Sequence, residues 1–294
     1  MTAIGYLVDA VSLGVVYALI AVSIGLVFGV LRQVNLAQGE VIAIGAYSLW
    51  LARGLPAPVA ILVCVAVCVA ASIVLELVVF RPLGGASPLT TLVVTFGVSY
   101  GLEAVWQLIF GSNGNAVSTL SSLNDVAIGG RVDLRWVTVV EIGVGAAMFA
   151  ILLLVLYRTS LGTKMRATAE DFRTARIVGV RVGSVVTWAF VFAGVSAAVV
   201  AVLTTVQTPL VTPSFGLTLL IVALVGVVLG GIDHLGRATA GGFVVGFVNS
   251  IVGSVLPEQQ LVFLPTLTFL FVIVVLLVRP AGLFTPRGSG AERV

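Results

Sequence analysis

The chain predicts an all-α fold, a polytopic transmembrane helical bundle of eight to nine spans, one of them discontinuous or re-entrant. Of its 294 residues, 60% are hydrophobic and 9% charged, which is more apolar than a soluble core requires. The apolar residues fall in unbroken runs of roughly twenty, the length of a helix that crosses hydrocarbon. A membrane β-barrel would show shorter segments of alternating polarity. The third observation is the stretch Tyr157 to Gly183, which holds Arg158, Lys164, Arg166, Arg173, Arg176 and Arg181 against only Glu170 and Asp171. So many cations cannot lie in hydrocarbon, and clusters of Lys and Arg beside spans stay in the cytoplasm.

The elements follow in order. MTAIGYLVDA lacks a basic leader and the apolar run after it is too long for a signal h-region, so Ile4 to Leu31 reads as the first span. It ends at Arg32 and meets the polar stretch VNLAQGE. Val41 to Leu51 is short for a span. Either a helix begins near Asn35, or the element is discontinuous or re-entrant, with a polar turn at membrane depth. Val59 to Phe80 and Leu89 to Phe110 are full spans. The hydrophilic segment 111–136 balances Arg131 and Arg135 with Asp125 and Asp133 and reads as extracytoplasmic. Val137 to Leu156 returns to the basic loop, 158–183. Then come Val185 to Val206, the Pro-containing connection Gln207 to Gly216, Leu217 to Gly231, Ala238 to Leu256 and Leu261 to Val278. The Arg-rich tail, 279–294, reads as cytoplasmic. Every loop agrees with this orientation; the N-terminus lies outside if 35–51 crosses and inside if it is re-entrant.

The net charge of +3 reflects this topology and implies no nucleic-acid partner. Cys64 and Cys68 lie on one helix face with no ligand type beside them and read as small buried hydrophobes. There is no HExxH, no GxSxG and no metal constellation around the sole histidine, His234, so no enzyme is expected. There is also no P-loop, since the only lysine is in LGTKM. The chain does not bind ATP by that device.

Polar residues among apolar runs are the candidate working groups. Asp9, Glu76 and Glu141 lie near span ends, where a carboxylate reaches the interface or a partner; Glu103 is deeper and stays open. Glu40 belongs with Asn35, Gln38 and Gly39 to a polar group suited either to a pathway or to an interfacial turn. Thr91, Thr95 and Ser99, four apart, form a stripe on one helix face that either packs or lines a pore. Five GxxxG pairs, starting at Gly25, Gly97, Gly179, Gly226 and Gly242, support close packing only weakly. In the basic loop, after a turn at Leu161 to Thr163, Lys164 to Val178 is expected as one helix. Its apolar edge, Met165, Ala169, Phe172, Ala175 and Ile177 or Val178, would be rimmed by cations and stopped at Gly179, a form suited to a groove in another protein.

Five ordered blocks then carry a resemblance: Tyr17 to Tyr47, Arg81 to Ser99, Met165 to Val180, Val227 to Gly246 and Arg279 to Phe284. Together they resemble the permease subunits of ABC importers for branched-chain amino acids, the shorter of the two permeases in that system. The resemblance implies that 1–294 is a single transmembrane permease domain. It implies a coupling helix at Met165 to Gly179, with Met165, Arg166, Ala169, Glu170, Phe172, Ala175, Arg176 and Gly179 meeting the ATPase. The expected partners are a second permease, making a heterodimer, two ABC ATPase subunits that bind the ATP, an extracytoplasmic binding protein and the lipid of a bacterial cytoplasmic membrane. No cofactor is expected on this chain. The family pattern often has His where Gln38 stands here, and urea, short amides or other amino acids stay open as cargo. The expected pathway residues are Asn35, Gln38, Gly39, Glu40, Thr95 and Ser99. The rivals are a secondary transporter driven by an ion gradient through Glu40 and Glu103, and a passive anchoring subunit.

Overall fold

The computed structural model describes residues 3–117, 126–128, 134–231, 234–279 and 282–284. Among these the helices are α1 (Ala3–Leu31), α2 (Gln38–Leu51), α3 (Ala57–Leu75), α4 (Pro88–Phe110), α5 (Trp136–Arg158), α6 (Ser160–Glu170), α7 (Phe172–Ile177), α8 (Val182–Gln207), α9 (Phe215–Gly230), α10 (Leu235–Val255) and α11 (Leu264–Val278). A π-helical turn, Glu76–Phe80, extends α3, and a 3₁₀ turn, Glu258–Phe263, leads into α11. Among the described residues, seven helical stretches are long and apolar enough to cross a membrane. The chain is a multi-pass helical membrane protein. Outside those stretches and the α6–α7 unit, α9 has 16 residues and α2 has 14.

Local chemistry sets the helix ends. Pro88 opens α4 with its φ already helical, and the Ser87 side chain accepts from the Thr90 amide at 3.1 Å. Gly111, at φ 79°, closes α4 in a conformation that side chains avoid. Among the described residues there are also two short antiparallel strand pairs. β1 (Asn115–Ala116) pairs with β4 (Leu210–Val211), and β2 (Val126–Ile128) pairs with β3 (Leu134–Arg135). The connection after α8 is strand-paired, with Val211 fully buried and the Pro209 carbonyl accepting from the Val117 amide.

The helices sort by burial. α1, α2 and α8 form the interior, and eleven of the fourteen α2 residues are buried. By contrast α4 buries only Thr91, Thr95 and Ser99 and turns Leu89, Phe96, Tyr100, Leu108 and Ile109 outward, as a lipid-facing helix does. Small residues let backbones approach where helices cross. An added Cβ at Gly226 would meet Gly242 Cα at 2.7 Å, and one at Gly246 would meet the Leu13 carbonyl oxygen at 2.7 Å. The GxxxG pairs at Gly226 and Gly242 are therefore packing devices of α9, α10 and α1. The pair at Gly97 and Gly101 has nothing within 4 Å of either added Cβ.

The path of residues 32–51 answers the question the sequence leaves open. Arg32, just past α1, reaches the Ala169 carbonyl of α6, so α1 ends at the α6–α7 end of the bundle. Gln38, the first residue of α2, reaches Ala193, and Glu40 reaches Ser99, both near the midpoints of their helices. Residues 33–37 thus climb half the bundle without helix, and α2 covers the rest, about 21 Å at 1.5 Å per residue. The element is discontinuous. α9 is its counterpart: its first turn crosses that of α2, with an added Cβ on Gly39 only 2.5 Å from the Gly216 carbonyl oxygen. It then runs toward the α6–α7 end, where Gly230 packs on Arg237 of α10. Both short helices start near mid-depth and run in opposite directions.

The basic loop differs from the expected single helix. The turn expected at Leu161 to Thr163 is the first turn of α6, whose cap is the Thr159 side chain accepting from the Gly162 amide. The helix breaks at Asp171, which takes extended φ and ψ of −150° and 109° and caps α7 by accepting from the Arg173 amide and the Thr174 hydroxyl. An Asp that caps a new helix competes with continuation of the old one. Gly179, at φ 85°, ends α7 as expected. Arg131, Asp125 and Asp133 of the hydrophilic segment and residues 285–294 of the tail lie outside the described residues.

Candidate functional site

The polar residues singled out at 35–40 and on the α4 stripe come together in one buried cluster. Asn35 is 1% exposed and bends the chain into α2: its Oδ1 accepts from the Ala37 amide at 3.0 Å, and its Nδ2 donates to Gln38 Oε1 at 3.2 Å. Gln38 in turn donates to the Ala193 carbonyl of α8 at 3.1 Å. From α4, Thr95 Oγ1 accepts from the Leu36 amide at 3.3 Å. Glu40 is fully buried. It accepts from Ser99 Oγ at 3.1 Å and, through its other oxygen, from Trp106 Nε1 at 2.9 Å. Gly39 supplies no polar side chain but permits the backbone contact with α9. Such a network meets the rule that buried polar groups find partners. It sits where two helix N-termini cross, and their dipoles place partial positive charge there.

Sequence reasoning missed Trp106, although it lies seven residues beyond Ser99 on the same stripe. Above the cluster, Tyr47 of α2 stacks on Phe110 at 4.4 Å and meets Trp106 at 5.5 Å between ring centroids. These rings wall a mainly apolar cavity of about 390 Å³ between α2, α3 and α4. Glu103 lies one turn from Ser99 and is only part-buried, yet its Oε2 is buried and finds no hydrogen-bond partner.

The remaining carboxylates are less peripheral than their positions in the runs suggest. Glu141 is fully buried and accepts from Ser12 of α1 and, at 2.7 Å, from Gln207 of α8, so it ties three helices together. Asp9 accepts from Thr138, and Glu76 accepts from Thr187 at 3.3 Å. Cys64 and Cys68 are free, fully buried, and packed on the side of α3 that meets Gly45. Among the described residues no group of His, Cys, Asp and Glu is placed to hold a metal.

The second candidate is the α6–α7 unit. Met165 and Ala175 face inward, at 2% and 3% exposure, into a core with Phe80, Phe190 and Val182. Arg166, Glu170, Phe172, Arg176 and Gly179 are exposed, Ala169 is half-buried, and Ile177 and Val178 stand out at 79% and 70%. The apolar edge therefore divides: part anchors the unit and part is presented outward among charges. A cleft of about 1210 Å³ separates α6 and α7 from the ends of α1, α3 and α8, lined by Arg32, Glu76, Arg81, Asp171 and Arg176 among others. The Asp171 carboxyl is held below the usual carboxylate range by the Thr174 hydroxyl first, then by the Arg173 and Thr174 amides.

Residues 6–279 match the family described as the branched-chain amino acid transport system permease component. The chain is 31% identical over 297 residues to the high-affinity branched-chain amino acid transport system permease protein BraD of Pseudomonas aeruginosa, covering 94% of each. It is 27% identical over 301 residues to LivH of Escherichia coli K12, whose name carries the same description, covering 94% of this chain and 93% of that one. A probable LivH of Methanocaldococcus jannaschii matches over 136 residues at 25% identity, 45% of this chain. No solved structure matches.

Proposed function

This chain belongs to the branched-chain amino acid transport permease family, and from that premise we propose that it is the membrane subunit of an ATP-binding-cassette importer. It passes hydrophobic amino acids from an extracytoplasmic binding protein to the cytoplasm, and pairs with a second permease and two ATPase subunits. The observation that carries this reading is the α6–α7 unit: a short, capped, charged pair of helices, anchored by Met165 and Ala175, that presents Phe172, Ile177 and Val178 outward. Apolar side chains presented among the charges of a short, anchored helix pair suit a groove in another protein. With no P-loop in the chain, energy arrives from outside it. Arg32 joins this unit to residues 33–37 and so to the buried cluster, which gives a path for force from the ATPase to the centre of the bundle.

In this reading Asn35, Gln38, Gly39, Glu40, Thr95 and Ser99 border the pathway, and the crossed N-termini of α2 and α9 favour the carboxylate of an amino acid. The α6–α7 end and the tail are cytoplasmic by their positive charge. The test is co-purification with the neighbouring permease and ATPases, followed by uptake into vesicles. Leucine uptake that requires ATP and the binding protein is expected. Uptake that persists without ATPases and collapses with an uncoupler would show an ion-driven carrier instead.

A further inference from the structure

Two segments leave helical form at depth, one from each side of the bundle. Residues 33–37 climb from the α6–α7 end to the start of α2. Residues 208–214 make the matching descent: α8 runs from Val182 at the α6–α7 end past Ala193 to Gln207 at the far end, and α9 begins back at mid-depth, where Gly216 meets Gly39. Non-helical backbone at membrane depth persists only where protein buries it or water reaches it. The two segments differ in which. Arg32 and Gln33, at the foot of the first, line the open cleft of about 1210 Å³. The second is sealed: Leu210 and Val211 pair with Ala116 and Asn115, the Val117 amide donates to the Pro209 carbonyl at 2.7 Å, and an added Cβ on Gly114 would meet the Leu210 side chain at 2.5 Å. Val211 and Val117 are buried in the same apolar core as Val41 and Tyr47 of α2.

One buried carboxyl ties this seal to the bundle. Glu141 Oε2 accepts from Ser12 of α1 and from Gln207, the last residue of α8 and the one from which the sealed segment hangs. The tie is incomplete. Glu141 Oε1 is buried without a partner, and so is Asn115 Nδ2 on the strand paired with the segment. Unsatisfied buried groups are destabilising, so an opening that admits water relieves both and lowers the cost of leaving the sealed state. We infer that residues 208–214, with 115–117, form the extracytoplasmic gate of the permease, shut in this structure while the cleft at the α6–α7 end stands open, and that Glu141 is the positioning residue that latches it. The inference rests on the importer reading above and adds where the outer barrier lies and which residue releases it.

The experiment uses the complete complex in right-side-out vesicles, with ATP inside and leucine-loaded binding protein outside. ATP-driven uptake by the unaltered complex is measured first; its absence sinks the importer reading, whereas uptake with an unmoving segment sinks only the gate. An impermeant maleimide is then added outside, and labelling of this chain is read. Val211→Cys and Val117→Cys are each expected to react at least about fivefold faster during turnover than at rest, while Leu210→Cys, at 50% exposure, reacts readily in both conditions. Rates at Val211→Cys and Val117→Cys that ignore turnover overturn the gate. At rest, Glu141→Leu is expected to speed Val211→Cys labelling at least about fivefold, and Glu141→Gln, whose amide oxygen still accepts from Ser12 and Gln207, to leave it within about twofold. Should Glu141→Leu fail to assemble, Gln207→Leu removes the same bond from its half-buried end. An unchanged resting rate overturns the latch. So does labelling of the buried Cys64 and Cys68 in the same variant, because the whole bundle has then loosened.

Discussion

Asp171 shows how much one residue can divide. Lys164 to Val178 reads in the sequence as one amphipathic helix, but the chain breaks at Asp171, and Phe172 starts a second helix. Its carboxyl is held below the usual range by the Thr174 hydroxyl and the two amides, so its charged cap is complete above the unfolded-state value, near 3.9. The cap is lost only as pH falls through the lower folded-state value. Asp171→Ala is expected to reduce coupled uptake several-fold at neutral pH while Asp171→Asn, which can still cap, retains most of it; transport in vesicles measures both. Phe172→Asp puts a charge at the centre of the outward apolar group. ATP hydrolysis should then continue with uptake lowered at least tenfold, whereas normal coupled transport would remove Phe172 from the contact.

At the scale of elements, the crossing of α2 with α9 carries the centre of the fold. Gly39 and Gly216 admit no side chain: a Cβ added to Gly216 would lie 2.1 Å from the Gly39 carbonyl oxygen. Overpacking of this kind destabilises by about 1–3 kcal/mol, or more where backbone opposes backbone. Gly39→Ala and Gly216→Ala should therefore lower the thermal midpoint in detergent by several degrees. Gly97→Ala and Gly101→Ala, on the outward side of α4, should leave it unchanged or raise it, because Ala is the better helix former by roughly 1 kcal/mol. If all four variants melt alike, the crossing is not the close contact described. The contrast also separates GxxxG pairs that look the same in sequence: those starting at Gly226 and Gly242 meet backbone, while the single pair Gly97 and Gly101 meets nothing within 4 Å.

At the scale of the whole molecule, the course of α1 predicts the side of the N-terminus. Because α1 ends at the α6–α7 end, it begins at the opposite end of the bundle. With the basic loop in the cytoplasm, Tyr6→Cys should react with an impermeant maleimide added outside intact cells, and Lys164→Cys only after permeabilisation. Cys64 and Cys68 are fully buried and give little background. Labelling of both positions from the same side would return the N-terminus to the cytoplasm and make 35–51 re-entrant.

The helical membrane class, the approximate limits of the long helices and the grouping of Asn35, Gln38, Gly39 and Glu40 were legible because hydropathy and local polarity act along the chain, where a sequence displays them. The stripe at Thr91, Thr95 and Ser99 was legible for the same reason, since helical spacing places those hydroxyls on one face. What faced that stripe was not legible. Only tertiary structure brought α4 onto α2, paired Glu40 with Ser99 and Trp106, buried Glu141 between α1 and α8, and turned Met165 and Ala175 inward while leaving Phe172 outward. These depend on contacts between residues about 60 or more positions apart, or on where a short helix rests, and no periodicity within a single span encodes them. The sequence by itself determined a membrane permease with a cationic loop; the crossing of two short helices at mid-depth decided where its polar centre lies.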